Sequence, residues 1–234
     1  MKLLIDIGNT SAKLAVVDSD IVHFERLSEI WSAAFARLRK QYPIRSVRIS
    51  SVAGPDAALD EALDALNLPV IRLTAQVPCP IKPISNIHPE LGADRWAADI
   101  GALAQDADHT LLIIDAGTCL TYDVISCDGA YLGGAISPGV QLRLNAMHEH
   151  TALLPQIEAE QQAELLGNET HTQMLSAAVN GTRFEIEGFI RHLQREFTDL
   201  HVFITGGNTF EFAPDITCPI THDPYLVLHG LMAL

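Results

Sequence analysis

The chain has 234 residues, 48% of them hydrophobic, and a formal net charge of −14 at pH 7. That is enough apolar material for one large core or two small ones. The negative charge opposes binding to nucleic acid and to anionic membranes, so neither partner is expected. No apolar run approaches about 18 residues, which excludes a predicted membrane span.

Two further features predict a cytoplasmic location. The N-terminus enters a strand-like apolar run directly, without a basic segment followed by a long apolar one, so no signal peptide is expected. The four cysteines form no C-x-x-C pair, which is typical of reduced cytosolic thiols and does not favour a zinc site.

The first half of the chain predicts an antiparallel meander followed by alternating helices and strands. Helical spacing of apolar residues predicts a helix over 28–41, capped by Ser28. A proline-rich stretch over 74–90 predicts an ordered loop. The predicted strands are 3–7, 12–17, 21–26, 46–52 and 69–73, and the remaining predicted helices are 55–66 and 91–105.

The second half repeats this opening and then becomes largely helical. A long helical region over 170–197 is expected to be interrupted at Gly181, and a terminal helix is expected to begin at Asp223 and Pro224. The other predicted elements are strands over 111–116, 120–126, 130–136 and 201–205 and a helix over 140–149. Such alternation favours mixed sheets covered by helices.

A repeated unit is the most informative pattern. An apolar run, an aspartate, a glycine turn with hydroxyl groups and a second apolar run occur around Asp6 and again around Asp115. The duplication predicts an α/β protein of two ribonuclease-H-like lobes, 1–109 and 110–234, each presenting a carboxylate and a phosphate-sized turn to one cleft. This is the layout of actin-like ATPases.

The turn after Asp6 has the composition of a phosphate site. Gly8 permits a tight turn, Asn9 tolerates a positive φ, and successive N–H groups can form an anion-binding nest. Asp6 at a strand end can hold Mg²⁺ through water, and Lys13 can reach a phosphate. An ordinary hairpin would also explain the turn alone, but the second copy argues against that alternative.

Asp94 and Arg95 stand at the predicted start of a helix. The helix dipole and Arg95 are expected to keep Asp94 ionised, and an ionised aspartate beside a hydroxyl can act as general base in phosphoryl transfer. Arg95 can hold a carboxylate with two hydrogen bonds. The alternative is a helix first turn with a favourably placed acid and a surface arginine.

Five motifs in order make the chain resemble the type III pantothenate kinases, in the actin-like/Hsp70-like/sugar-kinase superfamily. They run almost from end to end of the chain. They are Asp6-x-Gly8-Asn9-Thr10, Gly92-Ala93-Asp94-Arg95, Asp115-x-Gly117-Thr118-x-x-Thr121-x-Asp123, Gly133-Gly134-x-Ile136-x-Pro138-Gly139 and Thr205-Gly206-Gly207.

The resemblance implies ATP-dependent phosphorylation of pantothenate to 4′-phosphopantothenate, with Mg²⁺, in a homodimer with its substrate site near the subunit interface. It implies Asp94 as proton acceptor and Asp115 as ligand of a monovalent cation, K⁺ or NH₄⁺. The implied ATP contacts are Asp6, Ile7, Gly8, Asn9, Thr10, Ser11, Ala12, Lys13 and Thr118. The implied pantothenate contacts are Gly92, Ala93, Asp94, Arg95 and Thr182.

The chain departs from the family pattern at two positions. Asn86 stands where the family usually has a tyrosine, which bears on one substrate contact, and Cys119 replaces the usual alanine. Two other functions stay open: a different small-molecule kinase of the same fold, and a regulatory accessory protein with weak catalysis. Gly92–Arg95 favours the pantothenate kinase.

Overall fold

A meander of three strands and two later strands build each of two five-stranded mixed sheets. The computed structural model describes residues 1–208 and 210–234. The chain divides into two compact units, Met1–Ala107 with Tyr225–Leu234, and Asp108–Pro224. The sequence prediction of mixed sheets with flanking helices is therefore confirmed. In the described part of the chain, no helix combines the length and apolar character needed to span a bilayer.

The first unit contains a sheet of order β3-β2-β1-β4-β5. Strand β1 pairs antiparallel with β2 and parallel with β4, which makes the sheet mixed. The strands are β1 (Lys2–Ile7), β2 (Ala12–Val17), β3 (Ile21–Arg26), β4 (Ser46–Ser51) and β5 (Val70–Arg72), and the helices are α1 (Trp31–Gln41), α2 (Ala57–Leu66), α3 (Ala93–Gln105) and the C-terminal α6 (Leu226–Ala233).

Helices α1 and α2 share a core with alternate residues of the first sheet, among them Leu3 and Ile49. The two helices are joined at their ends by Asp56, the N-cap of α2. Its carboxylate accepts hydrogen bonds from the Leu59 backbone N–H at 3.1 Å and from the Trp31 indole at 2.8 Å. These bonds lower the pKa of Asp56 and satisfy a donor that the helix start would otherwise leave unpaired.

Helices α3 and α6 cross at two glycines. A β-carbon added at Gly230 would lie 1.8 Å from the Ala97 carbonyl oxygen, and one added at Gly101 would lie 2.1 Å from the Leu226 carbonyl oxygen. The two backbones are therefore in direct contact, and no side chain larger than hydrogen fits at either position. This contact places the last ten residues with the first unit.

Two cations from the first sheet bind the C-terminal end of α6. The Arg48 guanidinium donates to the carbonyls of Leu231 and Met232, both at 3.0 Å, and Lys2 donates to Met232 at 3.1 Å. Positive charge at a helix C-terminus is favourable because the free carbonyls there carry partial negative charge. The compact units thus differ from the expected 1–109 and 110–234, since α6 belongs with the N-terminal strands.

The second unit contains a sheet of order β10-β9-β6-β7-β8. Strand β6 pairs antiparallel with β7 and parallel with β9, so the arrangement around β1 recurs. The strands are β6 (Thr110–Ala116), β7 (Cys119–Ile125), β8 (Tyr131–Pro138), β9 (Leu200–Gly206) and β10 (Ile220–His222), and the helices are α4 (Val140–Glu149) and α5 (Thr170–Glu196). Fully buried Tyr122 of β7 stacks on Phe189 of α5 with ring centroids 4.1 Å apart.

Several helix boundaries differ from the sequence predictions. Helix α1 begins at Trp31 with Ile30 as N-cap and no side-chain cap, so the prediction of Ser28 is wrong. Helix α5 continues through Gly181, because buried residues on both sides outweigh the roughly 1 kcal/mol that an interior glycine costs. Helix α6 begins at Leu226, after Asp223 and Pro224.

Candidate active site

The turn between β1 and β2 closes on a backbone hydrogen bond from Gly8 N–H to the Ser11 carbonyl at 3.1 Å. Asn9 and Thr10 at its tip are exposed. Neither Gly8 nor Asn9 has a positive φ, so the expected left-handed conformation of Asn9 is not used. The turn is nevertheless open to solvent at its tip, as a phosphate-binding turn must be.

Asp6 and Lys13 form an ion pair at the base of this turn. They are directly opposite in the β1–β2 register, and Lys13 Nζ lies 3.1 Å from Asp6 Oδ2. The Asp6 side chain is 7% exposed and that of Lys13 is 33% exposed. A carboxylate this deeply buried needs a compensating charge, and Lys13 supplies it from a position that still reaches solvent.

Asp94 lies in the first turn of α3, with Gly92 as N-cap. Burial raises the pKa of the Asp94 carboxyl above its ordinary value, the Arg95 backbone N–H opposes this with a 2.8 Å hydrogen bond, and the negative charge of Asp6 raises the pKa further. Desolvation is the largest effect on this pKa, and the charge of Arg95 opposes it. That Asp94 is ionised at neutral pH stays a prediction.

Gly92 makes room for the Asp94 carboxylate. A β-carbon at Gly92 would lie 2.7 Å from Asp94 Oδ1, closer than carbon and oxygen approach without displacement. A side chain at position 92 would therefore displace the Asp94 carboxylate from its observed position. The sequence shows the motif but not this contact.

Asn86, the departure from the family pattern, has a backbone φ of +64° and is exposed. Asparagine adopts the left-handed region several-fold more readily than most residues. The local backbone thus gives a conformational reason for asparagine at this position.

The second turn, between β6 and β7, is shorter than the first. Gly117 N–H donates to the Cys119 carbonyl at 3.1 Å. Asp115 at the end of β6 stands beside the turn, because its Oδ1 would lie 3.2 Å from a β-carbon at Gly117. Thr118 is exposed at the tip. Both copies of the sequence motif therefore form antiparallel hairpins, with residues 8–11 in the turn of the first and residues 117–118 in the turn of the second.

Two other glycines enclose this second turn. The Gly139 N–H donates to the Thr118 carbonyl at 3.0 Å, and a β-carbon at Gly139 would lie 2.3 Å from the Gly117 carbonyl oxygen. Gly206 has a φ of +98°, and a β-carbon there would lie within 2.7 Å of the Ala116 backbone. The glycine motifs at the ends of β8 and β9 are thus a backbone frame for the turn.

A cavity of about 380 Å³ lies in the second unit between α5, the segment before it and the segment after β9. Asn180 in its wall is 8% exposed and donates through Nδ2 to the Glu164 carbonyl at 3.0 Å. Because Nδ2 makes this bond, Oδ1 is the acceptor that the side chain offers. The lining residues are Gln161, Gln162, Ala163, Val179, Asn180, Arg183, Phe210 and Glu211. No sequence pattern predicts this cavity.

Thr182 is fully buried, and its hydroxyl donates to the Ala178 carbonyl at 2.7 Å. The structure therefore gives its side chain an intrahelical role, and its contact with pantothenate stays a prediction. Among the described residues, 1–208 and 210–234, no cluster of three histidine, cysteine or carboxylate side chains is placed to hold a metal.

Comparison with known proteins decides the family. The family model described as type III pantothenate kinase matches residues 2–192. The chain belongs to the type III pantothenate kinase family. It is 38% identical over 232 residues to the type III pantothenate kinase of Phocaeicola vulgatus, covering 99% of this chain and 96% of that one. It is 35% identical to that of Bacteroides fragilis with the same coverage.

Solved structures agree on the fold. A Campylobacter jejuni protein assigned to the Baf family of transcriptional activators matches with a TM-score of 0.58 and 22% identity, covering 98% of this chain and 95% of that one. A ROK family glucokinase from Streptomyces griseus, solved with glucose and AMPPNP, matches with a TM-score of 0.50 and 14% identity, covering 98% and 97%. The actin-like sugar-kinase fold predicted from the repeated motif is confirmed.

Proposed function

We propose that this kinase transfers the γ-phosphoryl group of ATP to the primary hydroxyl of pantothenate, giving 4′-phosphopantothenate, the first step of coenzyme A biosynthesis. One observation carries the proposal. Asp94 is half-buried at the start of α3, and its pKa is raised by burial and by the negative charge of Asp6 at the base of the first turn. A carboxylate of raised basicity beside a phosphate-binding turn suits an alcohol acceptor.

Asp94 acts as the general base in this proposal. As the hydroxyl oxygen attacks phosphorus, its proton passes to the carboxylate, which the Arg95 N–H holds at 2.8 Å. A raised pKa makes the carboxylate a stronger proton acceptor, which improves general-base catalysis near neutral pH. Arg95 and the backbone of Gly92 and Ala93 position pantothenate, and Thr182 is proposed as a further substrate contact.

The first turn, from Asp6 to Lys13, holds the ATP phosphates. Lys13 exchanges its Asp6 partner for phosphate oxygens, since its amine is close to the turn and partly exposed. The released Asp6 carboxylate is a hard oxygen donor of the kind that Mg²⁺ uses together with waters and phosphate oxygens. Bound Mg²⁺ would neutralise charge that develops on the phosphates during transfer.

The cavity of the second unit accommodates the nucleoside. Its volume lies within the range of small-molecule pockets, and it combines the Phe210 ring with the amide acceptor of Asn180. Asn208, whose Nδ2 donates to the Ala116 carbonyl at 2.9 Å, is two residues from Phe210. The Cα atoms of those two residues are at most about 7 Å apart, so the cavity adjoins the turn that carries Thr118.

Three finer assignments complete the proposal. Asp115 holds a monovalent cation, K⁺ or NH₄⁺, beside the second turn and so offsets phosphate charge. The enzyme is cytoplasmic and forms homodimers. The adjacent residues Leu165 and Leu166 are 62% and 83% exposed, which supports a protein partner for the segment between α4 and α5, since exposed apolar patches mark interaction surfaces.

The test of this function is an acceptor screen. The protein is incubated with MgATP and a panel of alcohols that includes pantothenate, sugars and acetate, in potassium and in sodium buffer, and products are identified by mass. Phosphopantothenate formed preferentially in potassium supports the proposal. Phosphorylation of another acceptor indicates the sugar- or acetate-kinase alternative, and nucleotide binding without turnover indicates the regulatory accessory protein.

As the pH is lowered, kcat/KM for pantothenate is expected to fall with a midpoint above pH 3.8, which is the ordinary pKa of an aspartate. Asp94 must be ionised to accept a proton, so activity is lost as pH falls through its raised pKa. Initial rates across overlapping buffers measure this fall, and thermal unfolding at each pH confirms that the protein stays folded. A kcat/KM that stays constant down to a pH below 3.8 would contradict the role of Asp94.

Lys13→Met is expected to raise KM for ATP by about 10- to 100-fold, because a charge-assisted hydrogen bond to phosphate contributes roughly 1.5–3 kcal/mol. KM for pantothenate should change far less. The control is Lys40→Met, since Lys40 is an exposed lysine on α1. Steady-state kinetics measure both constants, and an equal rise in the two would show that Lys13 has no specific part in nucleotide binding.

A further inference from the structure

A polar cluster behind the second turn has no part in the roles assigned above. Glu185 of α5 accepts hydrogen bonds from Tyr122 at 3.1 Å and from Ser137 at 3.0 Å, and it forms an ion pair with Arg143 of α4. All four residues belong to the second unit. Tyr122 is fully buried, and burial and the charge of Glu185 raise the pKa of its phenol.

Arg143 connects this cluster to the end of β8. Its Nε donates to the Pro138 carbonyl at 2.8 Å, and its Nη2 donates to the Ser137 hydroxyl at 2.9 Å as well as to Glu185. A guanidinium presents its donors in a rigid planar fork, so the carboxylate of Glu185 fixes the direction of the bond to Pro138.

Pro138 precedes the glycine that contacts the second turn. The Gly139 N–H donates to the Thr118 carbonyl at 3.0 Å. A β-carbon added at Gly139 would lie only 2.3 Å from the Gly117 carbonyl oxygen, so the two backbone segments are in direct contact. A displacement of Pro138 would therefore move the turn. Packed backbone contacts of this kind transmit small shifts because there is no space to absorb them.

We infer that the Glu185–Arg143 pair is a positioning device: it holds Pro138 and Gly139 so that the Gly117–Thr118 turn presents its backbone to the nucleotide phosphates. The inference rests on the proposed nucleotide role of that turn. In this inference both residues act through Pro138 and Gly139 and not by direct contact with the nucleotide. Tyr122 and Ser137 complete the hydrogen bonding of Glu185 and restrict the orientation of its carboxylate.

The test measures binding of ADP with Mg²⁺ and of pantothenate separately, by calorimetry, to Glu185→Gln. The variant keeps the size of the side chain and removes the charge that orients Arg143. We expect Kd for ADP to rise about 10-fold and Kd for pantothenate to stay within twofold. Asp215→Asn is the matched control, since Asp215 also forms a two-bond ion pair, with Arg191, but on an exposed loop.

Arg143→Gln and the double variant complete a cycle. If the two residues act as one device, the double variant should bind ADP no more weakly than either single variant, which is the signature of coupled groups. An ADP affinity within twofold of the wild type in both single variants overturns the inference, as does an equal loss for both ligands. If Glu185→Gln does not fold, Arg143→Gln decides by the same criterion.

The readout also separates this inference from the kinase assignment. A wild-type protein that binds ADP but does not phosphorylate pantothenate would contradict the proposed function and leave the positioning device to be judged on ADP affinity. A wild-type protein that binds no ADP would overturn both. An active wild type with unchanged ADP affinity in the variants overturns the positioning device alone.

Discussion

Asp94→Asn is expected to lower kcat by about 10²- to 10⁴-fold, the usual contribution of a positioned general base. The amide has nearly the same shape and its oxygen can still accept the Arg95 N–H bond, but it cannot take the hydroxyl proton. KM for pantothenate should change little, because the contacts of Gly92, Ala93 and Arg95 remain. Initial rates with saturating ATP measure the loss.

The same variant should be at least as stable as the wild type. Burial raises the pKa of Asp94, which means that its ionised form is disfavoured in the folded state at neutral pH. Removing that charge relieves the penalty and the repulsion from Asp6. Asp60→Asn is the control, since Asp60 is an exposed acid in the first turn of α2. Near-normal turnover in Asp94→Asn would remove Asp94 from the mechanism.

Gly230→Ala should destabilise the first unit by about 2–3 kcal/mol, near the upper end for overpacking a core. The added carbon would lie 1.8 Å from the Ala97 carbonyl oxygen, a backbone atom that cannot rotate away, so helices α3 and α6 must separate. For a protein of this size the expected fall in Tm is roughly 5–10 °C. Thermal unfolding measures it.

Gly188→Ala in α5 is the matched control. Gly188 is exposed in the middle of a helix, and a β-carbon there would meet nothing within 4 Å. Alanine should therefore stabilise the protein by about 0.5–1 kcal/mol through helix propensity and chain entropy. If the two variants unfold at the same temperature, the close crossing of α3 and α6 is not a feature of the folded protein.

The strands and the turns were the most predictable features. Apolar runs on both sides of Gly8 and of Gly117 predict both hairpins, and the register of the first brings Lys13 opposite Asp6. Helix α4 was predicted with its observed bounds because Pro138 and Gly139 end the preceding strand. The short strand β10 was missed, since three residues carry too little periodicity to be distinguished from a loop.

The properties that depend on distant contacts were not predictable. The pKa of Asp94 rises because the folded chain removes it from water, which no local pattern reports. The importance of Gly139 and Gly206 arises from their contact with the turn around Gly117, which lies far away in sequence. The placement of α6 with the first unit depends on Gly101 and Gly230. In the sequence alone, a glycine within a helical pattern indicates only a lower helix propensity.

The most direct test of the account is a crystal structure of the enzyme with pantothenate, Mg²⁺ and a non-hydrolysable ATP analogue. We expect the primary hydroxyl of pantothenate to lie within hydrogen-bond distance, about 2.6–3.2 Å, of the Asp94 carboxylate, with phosphate oxygens on the backbone of the first turn. A hydroxyl beyond the reach of Asp94, or phosphates bound away from Gly8 and Lys13, would contradict it.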